Sequence, residues 1–160
     1  HGVTLLIDKA EKTSAILTDV FGFEETGREG SIIRLKADAV NGGIVDIYEA
    51  GGFLPGRQGA GSVHHVAFRA VDDADQAEMS RKLIETHGQH PTEQKDRNYF
   101  RSVYFREPGG ILFEIATDVP GFNVDEPVES LGEHLKLPAF LEKYRAEIEK
   151  VLPLLERERA

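Results

Sequence analysis

The chain has 160 residues, enough for a compact domain with a real core, and its 28 acidic against 19 basic side chains give a net charge of -9. No basic stripe runs through it, which argues against a binder of nucleic-acid backbones, and the absence of cysteine excludes disulfides and thiolate metal sites, leaving nitrogen and oxygen as metal donors. No apolar run approaches the roughly 20 residues of a membrane span and no charged-then-apolar signal opens the chain, so a soluble, cytoplasmic protein without a membrane partner is the default expectation.

The chain opens at His1 without an initiator methionine and passes at once into a strand over Val3 to Ile7, so its start reads as cut. A helix is expected over Lys9 to Phe21, with Asp8 and Glu11 as a capping box, an apolar stripe of Ile16, Leu17, Val20 and Phe21, and Gly22 as C-cap. Short strands follow around Glu24 to Gly27, Ser31 to Lys36 and Ile44 to Glu49. The glycine-rich run Gly51 to Gly61 reads as a linker or a rim. The order then repeats: a strand over Val63 to Ala70, a helix over Asp73 to Thr86 capped by Asp72 or Asp73, and strands over Tyr99 to Glu107 and Ile111 to Ala116. Beyond Asp118 the pattern changes. Pro127 opens a short helix and Pro138 a longer one with Leu141, Tyr144, Ile148, Val151, Leu152 and Leu155 at helical spacing, read as a helical tail docked on the sheets.

Two local echoes make this an internal duplication. Gly42-Gly43-Ile44-Val45-Asp46-Ile47 answers Gly109-Gly110-Ile111-Leu112-Phe113-Glu114, and Val3-Thr4-Leu5-Leu6 answers Val66-Ala67-Phe68-Arg69. The fold class is therefore α+β, with a first βαβββ module over residues 1–50, a linker over 51–61, a second module over 62–118 and a helical extension over 119–160. Aligning the echoes puts Gly2 where His65 stands and Ile47 where Glu114 stands. On that alignment the first module offers no ligand.

Strand periodicity selects the candidate site. If Pro108-Gly109-Gly110 is a three-residue turn, Phe105 lies opposite Phe113 and Tyr104 opposite Glu114, so Val103, Phe105, Ile111, Phe113 and Ile115 share the apolar face. Ser102, Tyr104, Arg106 and Glu114 share the other. The same parity puts Val66 and Phe68 inward and His65 with Arg69 on the polar side, so His65 rather than His64 is the partner of Glu114. An imidazole and a carboxylate are two thirds of the 2-His-1-carboxylate set that holds Fe(II) and leaves positions open. His64 stands next to it as a candidate acid or base, Tyr104 reaches toward Glu114, and Arg97, just before the Tyr104 strand, offers a guanidinium to an anionic group. Structural readings compete with each of these: a hydrogen-bonded strand histidine, a packed tyrosine, a surface Arg-Asp pair. His87, His90 and His134 are expected in solvent.

The runs His64-His65-Val66-Ala67-Phe68-Arg69, Asp96 to Asp118 with its Pro108-Gly109-Gly110 turn, Pro120-Gly121-Phe122 and Asp125-Glu126-Pro127 resemble ring-cleaving dioxygenases of the glyoxalase/vicinal-oxygen-chelate superfamily, in particular the hydroquinone-cleaving branch. The resemblance implies βαβββ modules forming a curved mixed-sheet cup, Fe(II) with Mn(II) as an alternative, and oxidative cleavage of a small aromatic diol by dioxygen. It implies His65 and Glu114 as metal ligands, and His64, Tyr104 and Arg97 as groups around them. It also implies a further histidine ligand from an N-terminal half, since members have four modules and this chain resembles the last two. His1 stands one position before Gly2, where a substitute ligand would be expected. Alternatives on the same fold are a metal-independent module that sequesters a small molecule, and a glyoxalase-type metal isomerase or transferase. An uncovered sheet edge and the Leu141-to-Leu155 stripe leave room for a homo-oligomer.

Overall fold

The computed structural model of the chain describes residues 2–52 and 56–153. One compact unit runs to Gly121 and a second begins at Phe122. The first unit carries two four-stranded sheets. β1 (Gly2–Ile7), β2 (Glu24–Glu29), β3 (Ile32–Lys36) and β4 (Ile44–Glu49) make one, in the order β1-β4-β3-β2. β5 (Val66–Ala70), β6 (Lys95–Asp96), β7 (Arg101–Arg106) and β8 (Leu112–Thr117) make the other, in the order β5-β8-β7-β6. In each, the first and last strands are parallel and the remaining pairs antiparallel. Helix α1 (Glu11–Asp19) follows β1 and helix α2 (Asp73–Glu85) follows β5. Two βαβββ modules are therefore present, as the duplication led one to expect.

The alternation that selects the site also builds the core. β1 buries Leu5 and Ile7, β3 Ile33 and Leu35, and β4 Val45 and Ile47. Phe68, Phe105, Phe113 and Ile115 do the same in the second sheet, and they join Ile16 and Leu17 of α1 in one apolar cluster spanning both modules. Phe21 stacks on Phe68 with ring centroids 4.1 Å apart, so the end of the first helix is seated on the second sheet. The turn joining β7 to β8 is locked against the first module: Glu107, 2% exposed, accepts from Thr13 Oγ1 at 2.5 Å and from the amides of Gly109 and Ile111 at 2.7 Å each. Gly109 must be glycine, because a Cβ there would lie 2.4 Å from Ile7 Cγ2.

Several local expectations are corrected. The Asp8-Glu11 capping box does not form. Ala10 is the N-cap without a side-chain bond, and its amide donates instead to Glu49 Oε2 at 2.8 Å, a partner 39 positions away. The C-cap is Val20, and Gly22 turns the chain just beyond it at φ 69°. Asp72 caps α2 as expected, accepting from the Asp75 amide. The strand expected from Val63 begins at Val66, since the parallel ladder opens before Val66 and Phe113 pair. His87, expected in solvent, has a side chain only 10% exposed, with Nε2 3.4 Å from Asp19.

In the second unit Pro127 precedes a 3-10 turn at Val128–Ser130, and a 3-10 turn at Glu142–Tyr144 leads into α3 (Arg145–Val151). None of the described stripe residues is buried, and Leu155 lies outside the described residues, as do His1 and the linker positions Phe53, Leu54 and Pro55.

The ladders also correct the repeat. Val3 pairs with Val45 as Val66 pairs with Phe113, and Arg34 pairs with Asp46 as Tyr104 pairs with Glu114. The counterpart of Glu114 is therefore Asp46, not Ile47. The Gly-Gly echo misleads by one residue because Ile44 enters the ladder directly after Gly43, whereas Ile111 intervenes between Gly110 and Leu112.

Candidate active site

The turn chemistry of Pro108 to Gly110 delivers the register on which the site depends. The Gly110 amide bonds the Glu107 carbonyl at 2.8 Å and the Glu107 amide bonds the Ile111 carbonyl at 3.0 Å, so β8 returns with Phe113 facing Phe105 and Glu114 facing Tyr104. Phe113 and Ile115 are withdrawn into the core on one side of β8, which fixes Glu114 on the other. It is nonetheless buried, 3% exposed, beneath side chains from its neighbours.

The Tyr104 hydroxyl donates to Glu114 Oε1 at 2.7 Å. The other carboxylate oxygen, Oε2, lies 2.7 Å from His65 Nε2. His65 comes from the residue just ahead of β5, and its ring stands edge-on to Tyr104 with centroids 6.0 Å apart. On its far side, His65 Nδ1 meets His64 Nδ1 at 2.8 Å, so one of these nitrogens carries the shared hydrogen. The His64 carbonyl accepts from Gln58 Nε2 at 2.9 Å, which ties the linker to the histidine pair.

Arg97 enters from the turn between β6 and β7. Asp96 Oδ1 accepts the Asn98 amide at 2.8 Å, Asn98 adopts φ 71°, and the Arg97 amide bonds the Phe100 carbonyl, closing a tight turn that presents the side chain beside β7. Its Nε donates to Ser102 Oγ at 3.3 Å and its guanidinium carbon lies 5.6 Å from the Tyr104 ring centroid. The five residues singled out from the sequence thus form one connected series: His64, His65, Glu114, Tyr104 and Arg97. Sequence reading missed Ser102, the acceptor that orients Arg97, and Thr92, whose Oγ1 accepts the Tyr104 amide at 3.1 Å. Neither carries a signal of its own, since each matters only through the neighbour it holds.

The series suits a divalent ion in part. Cis ligands bound at the usual nitrogen and oxygen distances lie roughly 3 Å apart, and His65 Nε2 and Glu114 Oε2 are held at 2.7 Å. Both are donors that oxygen- and nitrogen-binding metals accept, and Tyr104 engages the carboxylate oxygen that faces away from the histidine. Among the described residues no group of three or more His, Cys, Asp or Glu side chains is placed to hold a metal. The pair would supply two positions, and a third protein ligand would have to come from elsewhere.

The counterpart positions in the first sheet are filled differently. Arg34 holds Asp46 in a two-pronged ion pair, Nε to Oδ1 at 2.8 Å and Nη2 to Oδ2 at 2.7 Å. The hydrogen bond from Arg34, with its positive charge, keeps the Asp46 carboxyl below the ordinary aspartate range. Gly2 stands where His65 would be, and a Cβ there would lie 2.5 Å from the Ile44 carbonyl oxygen.

Comparison with known proteins places these features in context. The model of the Glyoxalase/Bleomycin resistance protein/Dioxygenase superfamily matches residues 1–115. The chain is 45% identical over 158 residues, 98% of its length and 50% of the relative's, to the Bacillus subtilis protein named "Putative ring-cleaving dioxygenase MhqO". It is 31% identical to the chlorohydroquinone/hydroquinone 1,2-dioxygenase of Sphingobium indicum, over 92% of this chain and 47% of that one. A crystal structure described as a "putative dioxygenase" from Bacillus subtilis superposes with a TM-score of 0.86 at 45% identity, covering 99% of this chain and 51% of that one. The chain spans about half the length of the curated relatives it matches.

Proposed function

Because the chain belongs to the glyoxalase/bleomycin resistance protein/dioxygenase superfamily, we propose that it is the metal-bearing half of a non-haem Fe(II) dioxygenase that opens the ring of a hydroquinone- or catechol-type diol. The observation that carries this reading is the 2.7 Å approach of His65 Nε2 to Glu114 Oε2 in a sheet whose duplicate lacks both donors in usable form. The reaction balances without a further reductant: a diol and dioxygen give an acyclic carboxylic acid that retains both oxygen atoms. Bound between His65 and Glu114, Fe(II), or Mn(II) in its place, would supply Lewis acidity and access to dioxygen.

The chain's own residues do the rest. With His65 Nε2 given over to a metal, its hydrogen resides on Nδ1 and is donated to His64 Nδ1, 2.8 Å away, so the pair fixes the tautomer of the ligand. His64, exposed and with Nδ1 occupied by that bond, carries its own hydrogen on Nε2 and is positioned to donate it to an oxygen of a bound diol. Tyr104 fixes the orientation of Glu114 by donating its one hydroxyl hydrogen to Oε1, which leaves its oxygen to accept from a bound diol. Arg97, set over the Tyr104 ring, adds positive charge for oxygen anions developing at the site.

We assign the missing ligand to an N-terminal half, a reading supported by the chain spanning about half the length of its curated relatives. The test is anaerobic Fe(II) loading of this chain, alone and joined to such a half, followed by oxygen uptake with hydroquinone and catechol. Stoichiometric iron and oxygen consumption in the joined protein, lost in His65→Ala and Glu114→Ala, is the expected result. Normal iron content and turnover in either variant would overturn the reading. The alternatives are a metal-independent sequestering module, which would keep full ligand affinity after chelation, and a metal isomerase or transferase, which would consume no oxygen with any diol.

A further inference from the structure

A cleft of about 600 Å³ opens beside His64, where the linker passes the β7-β8 turn. Leu6, Val63, Ile111 and Leu112 give it apolar walls, and its charged lining groups are two arginines, Arg57 and Arg106, with no acidic side chain among the lining residues. In a chain with 28 acidic and 19 basic residues, a concave surface charged in this one sense is built for an anion attached to an apolar body. Arg106 follows Tyr104 by two residues on the same face of β7, and pairs with Leu112, which precedes Glu114 by two on β8. That spacing is roughly 7 Å along the strand, within one aromatic ring and its substituent of the Tyr104-Glu114 pair. One nitrogen of Arg106, Nη1, is anchored on the Gly110 carbonyl at 2.9 Å, which aims the guanidinium while leaving its other donors for a ligand.

We infer that Arg57 and Arg106 form an anion-binding end of the substrate cleft and take up a carboxylate, carried either by an aromatic diol as a ring substituent or by the acid that ring opening generates. The inference rests on the dioxygenase reading for its place beside the site, but the carboxylate preference itself does not require turnover. A guanidinium meets a carboxylate with two parallel N–H donors, a second one nearby adds positive charge, and the apolar walls take the ring edge. The neutral amide of the same shape gains the wall contacts and loses the charge.

The decisive measurement is isothermal titration of the metal-free chain with 2,5-dihydroxybenzoate and with 2,5-dihydroxybenzamide. The benzoate is expected to bind at least 10-fold more tightly than the amide. Arg57→Gln and Arg106→Gln should each erode that preference, the double variant should erase it, and Arg106→Lys should restore part of it. Arg28→Gln, an exposed arginine paired with Glu25 in the first sheet, should leave it unchanged. A double variant that keeps the preference, or an Arg28→Gln that erases it equally, overturns the inference. In an active full-length enzyme, a raised KM for the benzoate with that for hydroquinone unchanged assigns the carboxylate to the substrate. Weaker inhibition by the ring-opened acid, with an unchanged KM for the benzoate, assigns it to the product. If no diol is turned over while the titrations hold, the dioxygenase reading fails and the anion cleft stands.

Discussion

The two modules of the first unit share a backbone ladder and differ in what they do with the same carboxylate position. In the second sheet Glu114 faces Tyr104, a neutral donor, and His65, a nitrogen donor, so its charge stays available. In the first, Asp46 faces Arg34, whose fork occupies both carboxylate oxygens and supplies the positive charge a metal would bring. Gly2 completes the difference, because its crowding against Ile44 admits no ligand side chain. On the proposed function, one duplicated frame yields a metal site and a site whose cation is part of the protein. The partner across the strand, Tyr104 or Arg34, decides which.

The largest effect expected from breaking this comparison falls on Glu114. With Glu114 as the proposed ligand, Glu114→Ala should lower metal affinity and turnover 100-fold or more, because removal of a ligand exceeds the loss seen for groups that merely support ligands. Asp46→Ala, at the matching position, should leave both within experimental error. Iron titration and oxygen uptake on the full-length protein measure the two variants side by side, and equal losses would dissolve the distinction. Next in size is the clamp joining the modules. Glu107→Ala leaves the amides of Gly109 and Ile111 and the Thr13 hydroxyl without their buried acceptor, and denaturant unfolding should show a loss of about 2–3 kcal/mol. A loss confined to activity, with unchanged stability, would show that the turn does not hold the modules together.

The legibility of this molecule in its sequence follows the range of the interactions involved. The pairing of Tyr104 with Glu114, the choice of His65 over His64 and the two-module order all rest on period-two alternation and one tight turn, which short runs of residues record. The failures are long-range. Asp8 and Glu11 have the composition of a capping box, yet the Ala10 amide prefers Glu49, brought alongside by the β1-β4 ladder. The Asp46 counterpart was hidden because the two hairpins differ by one residue where they enter their ladders, and a Gly-Gly match cannot register that. Glu107 had a faint signal: a carboxylate immediately before a Pro-Gly-Gly turn stands where free amides need an acceptor.

Transplanting one partner sharpens the comparison further. Tyr104→Arg should recreate at Glu114 the ion pair that Arg34 makes with Asp46, lowering metal affinity 10- to 100-fold while circular dichroism reports an unchanged fold. Tyr104→Phe should do less, since it removes one hydrogen bond and leaves the carboxylate unpaired by any cation. If the arginine variant bound metal as well as the phenylalanine variant, charge at the partner position would not be what separates the modules.

The smallest effect concerns the use the first module makes of its carboxylate. Asp46 is held below the ordinary aspartate range, chiefly by the hydrogen bond from Arg34, so its contribution to stability is present at pH values above the unfolded aspartate pKa of about 3.9 and is lost as pH falls through the lower folded value. The Arg34 side chain is 56% exposed, which screens the pair and limits the contribution to about 0.2–1 kcal/mol. Unfolding curves of wild type and Asp46→Asn should therefore stay a constant small distance apart above about pH 5 and converge in more acidic solution. Convergence at neutral pH would mean that the fork contributes nothing to stability. Separation that persists in strong acid would mean that Asp46 acts through packing rather than charge, and the contrast with Glu114 would then have to rest on the histidine alone.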